Sequence, residues 1–349
     1  MDTTEPDPDT AQAAAIAAAS AGTGAGGPIL DVDVAIIGAG PAGLFGAYYA
    51  GFRALSVLVV DALPEAGGQV TAMYPEKMIF DVAGFPAIRG RDLVDQLVEQ
   101  AAAFRPTYRL GVLADVLTFD DDRPVLALSN GETWRCGSLI ITAGLGKFTA
   151  RPLPAADAFG GEGVVYFVPH LDAYAGRDVV IVGGGDSAFD WAQSLANIAK
   201  SVTMVHRRDR FRAHASTVAH VQTLPVEILV NAEVNRLHGD GFVTGVEVTV
   251  RGEEPRLLSA DAVVAALGFT ADLGPIVGWG LELDKRHVVV DSRMMTSRPR
   301  IFAAGDICEY PGKVRLIATG FGEAATAVNN AAIVINPEAH LFPGHSSDV

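Results

Sequence analysis

Two stretches of this chain repeat one strand–turn–helix device, and few folds accommodate it twice. The first, DVDVAIIGAGPAGLFGAYYA, opens with an apolar run from Val32 to Ile37, the pattern of a strand buried on both faces in a parallel sheet. It continues through Gly38-Ala39-Gly40-Pro41-Ala42-Gly43 into a helical pattern. In such a GxGxxG spacing Gly38 makes the tight turn, Gly40 leaves the backbone open to a pyrophosphate, and Gly43 lets the helix pack close to the strand. Pro41 and Ala42 open the helix, whose first N–H groups carry positive partial charge and suit phosphate. A second apolar strand, LSVLVVD, ends at Asp61, roughly 20 residues past the glycines, where an acid binds ribose hydroxyls. The alternative is a glycine-rich turn with no ligand; both strands and the acid together favour a dinucleotide.

The second copy, RDVVIVGGGDSAFDWAQSLA, has its strand at Val179 to Val182 and its turn at Gly183-Gly184-Gly185-Asp186-Ser187-Ala188. The next strand, SVTMV, runs into His206-Arg207-Arg208 where an acid would serve a free ribose 2′-hydroxyl. An acid would repel a 2′-phosphate, whereas arginine pairs with it through two parallel hydrogen bonds. The acid-ended site therefore suits FAD and the arginine-ended site NADPH. The expected NADPH contacts are Gly183, Gly185, Asp186, Ser187, His206, Arg207 and Arg208, with Arg212 assisting. Arg210 reads as a solvated charge, and a basic loop that merely balances acids is the alternative for the whole HRRDRFR run. Two such sites in one chain suggest hydride transfer between nicotinamide and flavin, which needs positioning and flavin electronics and no obligatory protein acid or base.

Composition removes other classes. The chain carries 41 acidic and 26 basic residues among 349, a net charge of -15, which argues against nucleic-acid binding. Its two cysteines, Cys136 and Cys308, have no metal-ligand spacing and form no CxxC, so neither a metal site nor a disulfide scaffold is expected, and a reducing cytoplasm is. No apolar run approaches a membrane span, and the acidic N-terminus lacks the basic start of a signal peptide. Residues 1–30 read as a mobile tail in which AQAAAIAAA forms at most a transient helix.

The runs SLIITAGLGKF and AVVAALGFTAD both end in glycine turns and close similar plans, so residues 31–150 and 151–270 read as two dinucleotide-binding domains. The segment RIFAAGDICEY, with Gly305-Asp306 after a strand, then the helical GFGEAATAVNNAAIVI, returns residues 271–349 to the first domain. The expected class is α/β: two Rossmann-like domains of three-layer ββα form, the NADPH domain inserted into the FAD domain. Linkers near 148–154 and 269–274 are candidate hinges.

The order GxGxxG, GGQ at 67–69, GGGDSA with HRR, then AAGDI resembles the thioredoxin-reductase-like flavoproteins. Those enzymes carry CxxC before the second glycine turn, but here VVYFVPHLDAYAGRD holds no cysteine. No other side chain replaces a thiolate in disulfide exchange. The stretches MYPEKMIFDVAGFP, HRRDRFRAH, GDICEYPGKVRLIATGFGEAATAVNNA and the terminal HSS resemble the ferredoxin–NADP reductases of that type. The resemblance implies a homodimer and a ferredoxin, or a flavodoxin-like one-electron carrier, as partner. It implies FAD contacts from Asp61, Gly68, Gln69, Tyr74, Ala114, Phe148, Gly305, Asp306, Ser346 and Ser347. It further implies Tyr74 against one flavin face and His345 over the other, usually from the partner subunit. By residue type alone, the alternatives are an ordinary half-buried tyrosine for Tyr74, a core ring for Phe148, a frayed tail for His345 and a loop residue for His170. Docking an acidic ferredoxin needs a local basic patch, for which Lys77, Lys147, Arg151 and Lys313 are candidates. The competing functions are an NADPH-dependent reductase of oxygen, quinones or flavins, and a flavin- and NADPH-binding redox sensor without fast turnover.

Overall fold

The computed structural model describes residues 28–345 together with Ser347. Ser346 and residues 1–27 of the expected tail, including its alanine-rich part, lie outside the described residues. Strand β1 spans Leu30–Ile37, so it starts before the apolar run and at the last residue of the expected tail. Leu30 and Asp31 pair in register with Trp134 and Arg135, and the Asp31 carboxylate receives the Arg135 guanidinium at 2.9 Å. Backbone pairing and an ion pair extend the strand beyond the point where hydropathy marks it.

Helix α1 (Pro41–Phe52) returns the chain to β2 (Val57–Asp61), parallel to β1. Helix α2 (Gly90–Ala102) leads to β3 (Thr107–Leu110), parallel to β2. A meander follows, β4 (Ala114–Asp120), β5 (Arg123–Leu128) and β6 (Thr133–Ile141), antiparallel in sequence. β6 is long enough to pair with β5 at its start while nearly its whole length lies parallel to β1. The residues Val34, Ala35 and Ile36 at the sheet centre are fully buried, as a strand covered on both faces requires.

Strand β7 (Lys147–Ala150) carries the chain into a second sheet. Its strands are β8 (Val164–Val165), β9 (Asp178–Val182), β10 (Ser201–His206) and β11 (Val226–Val230), with helix α3 (Asp186–Leu195) after β9. A second meander, β12 (Ala232–Asp240), β13 (Phe242–Val250) and β14 (Arg256–Ser259), precedes β15 (Ala262–Ala265). The parallel order is β8-β15-β9-β10-β11. The buried Asp178 fastens the start of β9: its carboxylate accepts hydrogen bonds from Lys200 at 2.7 Å, Ser201 at 2.6 Å and Ser259 at 3.0 Å. Those donors, Lys200 first, hold its carboxyl below the usual carboxylate range against the opposing effect of burial.

Strand β16 (Phe269–Asp272) brings the chain back by pairing antiparallel with β7, Phe269 opposite Ala150 and Asp272 opposite Lys147. The expected separate linkers are thus largely one two-stranded ribbon, and Arg151 N–H donates to Gly268 O at 2.9 Å. The proline-rich ARPLP is short as a linker, because Pro154 already opens a helical turn and Leu153 is buried. β17 (Ile301–Ala303) then pairs parallel with the second half of β6, and helix α4 (Ile317–Ile335) closes the described core. Helix α4 packs with α1 beside the first sheet, while Leu273, Ile276 and Trp279 join the same core. The class is α/β with two Rossmann-like sheets, the second carried within the first.

Candidate active site

A cavity of about 720 Å³ lies at the C-terminal ends of β1 and β2. Its lining includes Gly38, Gly40, Pro41, Ala42, Asp61, Gly68, Gln69, Tyr74, Ala114, Phe148, Gly305 and Asp306. Gly43 lies beneath this wall: a Cβ there would sit 1.9 Å from Gly38 O, so only glycine lets α1 start this close to β1. Gly40 is the opposite case, since a Cβ on it would meet no heavy atom within 4 Å. The room above Gly40 opens into the cavity, beside the unpaired N–H groups of the first turn of α1.

The Asp61 carboxylate is held from both sides, accepting Ala39 N–H at 2.7 Å on Oδ2 and Leu63 N–H at 2.8 Å on Oδ1. Each oxygen keeps further acceptor capacity toward the cavity. Burial raises its pKa, with the two backbone N–H groups opposing. Tyr74 ends the short helix Gln69–Met73. Burial, then the charges of Asp306 and Asp81, push its phenol up to about 12, so the ring stays neutral in any ordinary buffer. Phe148 meets Phe167 and Phe269 edge-on, at centroid distances of 6.2 and 6.0 Å, so it serves a small aromatic cluster as well as the cavity wall.

The second glycine turn has a different architecture. Gly185 is open, with nothing within 4 Å of a Cβ, while the His206 ring covers Gly184. His206 Nε2 lies 3.1 Å from Arg210 O, Arg212 N–H donates to Gly184 O at 2.8 Å, and Asp186 Oδ1 accepts His214 N–H at 2.9 Å. His206 and Asp186 therefore fold the arginine loop back over the turn. Arg207, Arg208, Arg210 and Arg212 are exposed, as is Ser187. No residue of this turn lines the cavity, so the two seats are separate in this arrangement.

Two expectations about the basic patch need revision. Lys313 is no surface cation: its side chain is 1% exposed and its ammonium lies 2.5 Å from the Glu323 carboxylate. The ammonium of Lys77 is engaged by Asp190 of α3, which leaves Lys147 and Arg151 as the exposed members of the proposed patch. His345 is exposed, meets Phe342 edge-on at 5.0 Å, and with Ser347 stays outside the lining of its own chain's cavity. Both cysteines are buried and unbridged; burial pushes each thiol up to about 12, Cys308 with further help from the Glu323 charge.

The profile of the pyridine nucleotide-disulphide oxidoreductases matches residues 32–331. The chain belongs to that family. Among relatives of this oxidoreductase, the ferredoxin–NADP reductase of Salinispora arenicola (strain CNS-205) is 71% identical over 318 residues, covering 91% of this chain and 99% of the relative. The ferredoxin–NADP reductase of Halalkalibacterium halodurans (strain ATCC BAA-125 / DSM 18197 / FERM 7344 / JCM 9153 / C-125) is 48% identical, covering 91% and 97%. Among solved structures, the thioredoxin reductase of T. acidophilum superposes with a TM-score of 0.70 at 29% identity, covering 88% of this chain and 98% of that one. This oxidoreductase holds at its cavity several groups that the motifs did not flag. Thr142 Oγ1 donates toward Ile37 O and Gly38 O, and Arg315 lines the cavity while pairing with Glu309. Glu323 lies behind this wall, on the Gly305 N–H, and its signal was legible: it is the one charged residue in a helix of 19.

Proposed function

We propose that the chain is an FAD-dependent ferredoxin–NADP reductase. The observation that carries this reading is its 71% identity, along 91% of its length, to a relative bearing that name. Two glycine turns followed by opposite chemical selectors, Asp61 and Arg207-Arg208, support it from the residues. FAD, when bound, would supply a hydride acceptor for NADPH that can release its electrons one at a time to ferredoxin. The first turn of α1 and Gly40 hold the pyrophosphate, and Asp61 the ribose hydroxyls. Tyr74 supplies a neutral aromatic wall, and Asp306 a polar contact beside it. Arg207 and Arg208 clamp the 2′-phosphate of NADPH, while His206 and Asp186 hold their loop in place. With no CxxC in the sequence, electrons leave without an enzyme dithiol.

The reading includes a homodimer in the cytoplasm, with His345 and Ser347 of one subunit reaching the flavin of the other. Ferredoxin meets Lys147 and Arg151 beside the ribbon. The test is anaerobic stopped-flow on the flavin-loaded protein. Fast bleaching of flavin by NADPH and slow bleaching by NADH is expected, followed by many turnovers of ferredoxin reduction. Flavin that bleaches while ferredoxin stays oxidised would overturn the ferredoxin assignment and point to a small-molecule acceptor.

A further inference from the structure

Behind the cavity wall lies a buried charged cluster to which nothing above gives a task. Glu323 is 5% exposed, and both its carboxylate oxygens are fully engaged. Oε2 accepts the Gly305 N–H at 2.8 Å and the Cys308 thiol at 3.5 Å. Oε1 accepts the Tyr310 hydroxyl at 2.6 Å and the Lys313 ammonium at 2.5 Å. Gly305 stands at φ +80° and, with Asp306, faces the cavity on its other side. A Cβ on Gly320 would meet Gly305 Cα at 3.4 Å, so α4 lies directly against this turn. A buried carboxylate–ammonium pair is a costly way to hold one turn, and a neutral side chain could accept the same backbone N–H.

We propose that Glu323 and Lys313 form a charge-balanced positioning pair, which fixes the Gly305–Asp306 turn and adds no net charge behind the cavity floor that Asp306 and Arg315 line. This rests on the reading of the cavity as the flavin site. In a low-dielectric setting an unbalanced charge next to the turn acts on the flavin's electron affinity. Glu323→Gln keeps an acceptor for Gly305 N–H but leaves Lys313 positive. Lys313→Met leaves Glu323 negative. The two changes are similar in size yet opposite in charge, which separates electrostatics from mere loosening of the turn.

The experiment equilibrates purified flavin-loaded protein and each variant with a redox dye of known potential and reads the reduced-to-oxidised flavin ratio. Relative to the parent, a ratio at least tenfold higher is expected in E323Q and a lower one in K313M. The double variant E323Q/K313M returns toward the parent value. FAD dissociation, followed by flavin fluorescence, rises several-fold in both single variants. Shifts of the same sign in both single variants, or none in either, would overturn the proposal. If a single variant fails to fold, the double variant carries the test: a neutral pair must restore folding and a near-parental ratio, and a failure to do so also overturns it. A parent protein that purifies without flavin and binds none would instead refute the cavity assignment.

Discussion

Arg207 and Arg208 project from a loop that is itself well anchored, so truncating them removes charge without unfolding the turn. Charge-assisted hydrogen bonds contribute about 1.5–3 kcal/mol each. Arg207→Ala or Arg208→Ala is therefore expected to raise the KM for NADPH roughly tenfold or more, and to leave turnover with NADH nearly unchanged. Steady-state kinetics with both nucleotides reads this. Asp178 is the comparable residue for stability. Its folded pKa lies below its unfolded value near 3.8, so its contribution is present above that pH and is lost as pH falls through the folded value. Asp178→Asn should cost about 1–3 kcal/mol at neutral pH, with the gap to the parent closing below pH 3.8 in thermal or urea melts. Of the cavity lining, Asp61 was legible from its place at the end of a strand after the glycine turn, whereas Tyr74 came from the family resemblance, with its place after GGQ only in support. Lys313 was not: a lysine letter carries no burial, and its partner Glu323 comes ten residues later on another element.

At the scale of elements, the two glycines of the first turn separate ligand space from packing space. Gly40→Ala has room and a backbone φ of -72°, so its melting temperature should stay near the parent's while FAD affinity falls. Gly43→Ala forces a methyl against Gly38 O and should cost on the order of 1–3 kcal/mol by overpacking, with flavin lost as a consequence. Measuring melting temperature and flavin content on both variants checks the contrast. The two strand–turn–helix units and their glycine turns could be read in advance because apolar runs and glycine spacing encode them; the order of strands in each sheet could not. The early start of β1 and the β7–β16 ribbon could not, since both arise from pairing with segments about 100 residues or more away.

Across the whole molecule, the two units touch through more than the ribbon. Lys77 of the first unit meets Asp190 of α3, and Arg91 donates to Pro169 O at 2.9 Å beside His170. These partly exposed contacts must part for any rotation that brings the second glycine turn toward the cavity. Asp190→Asn is expected to raise amide exchange in residues 74–77 and 186–195 several-fold, and added salt should do the same to the parent but not to the variant.

The ribbon has a consequence for how such a chain can be cut and joined. Because Ala150 and Phe269 face each other across an antiparallel pair, everything between them enters and leaves through one doorway. Replacing residues 151–268 with Asn-Gly would turn that doorway into an ordinary hairpin. The shortened protein should stay yellow, keep its flavin, and be deaf to NADPH while chemical reductants still bleach it. Seen this way the second unit is a cassette, and a lineage could exchange its electron donor without rebuilding the flavin seat.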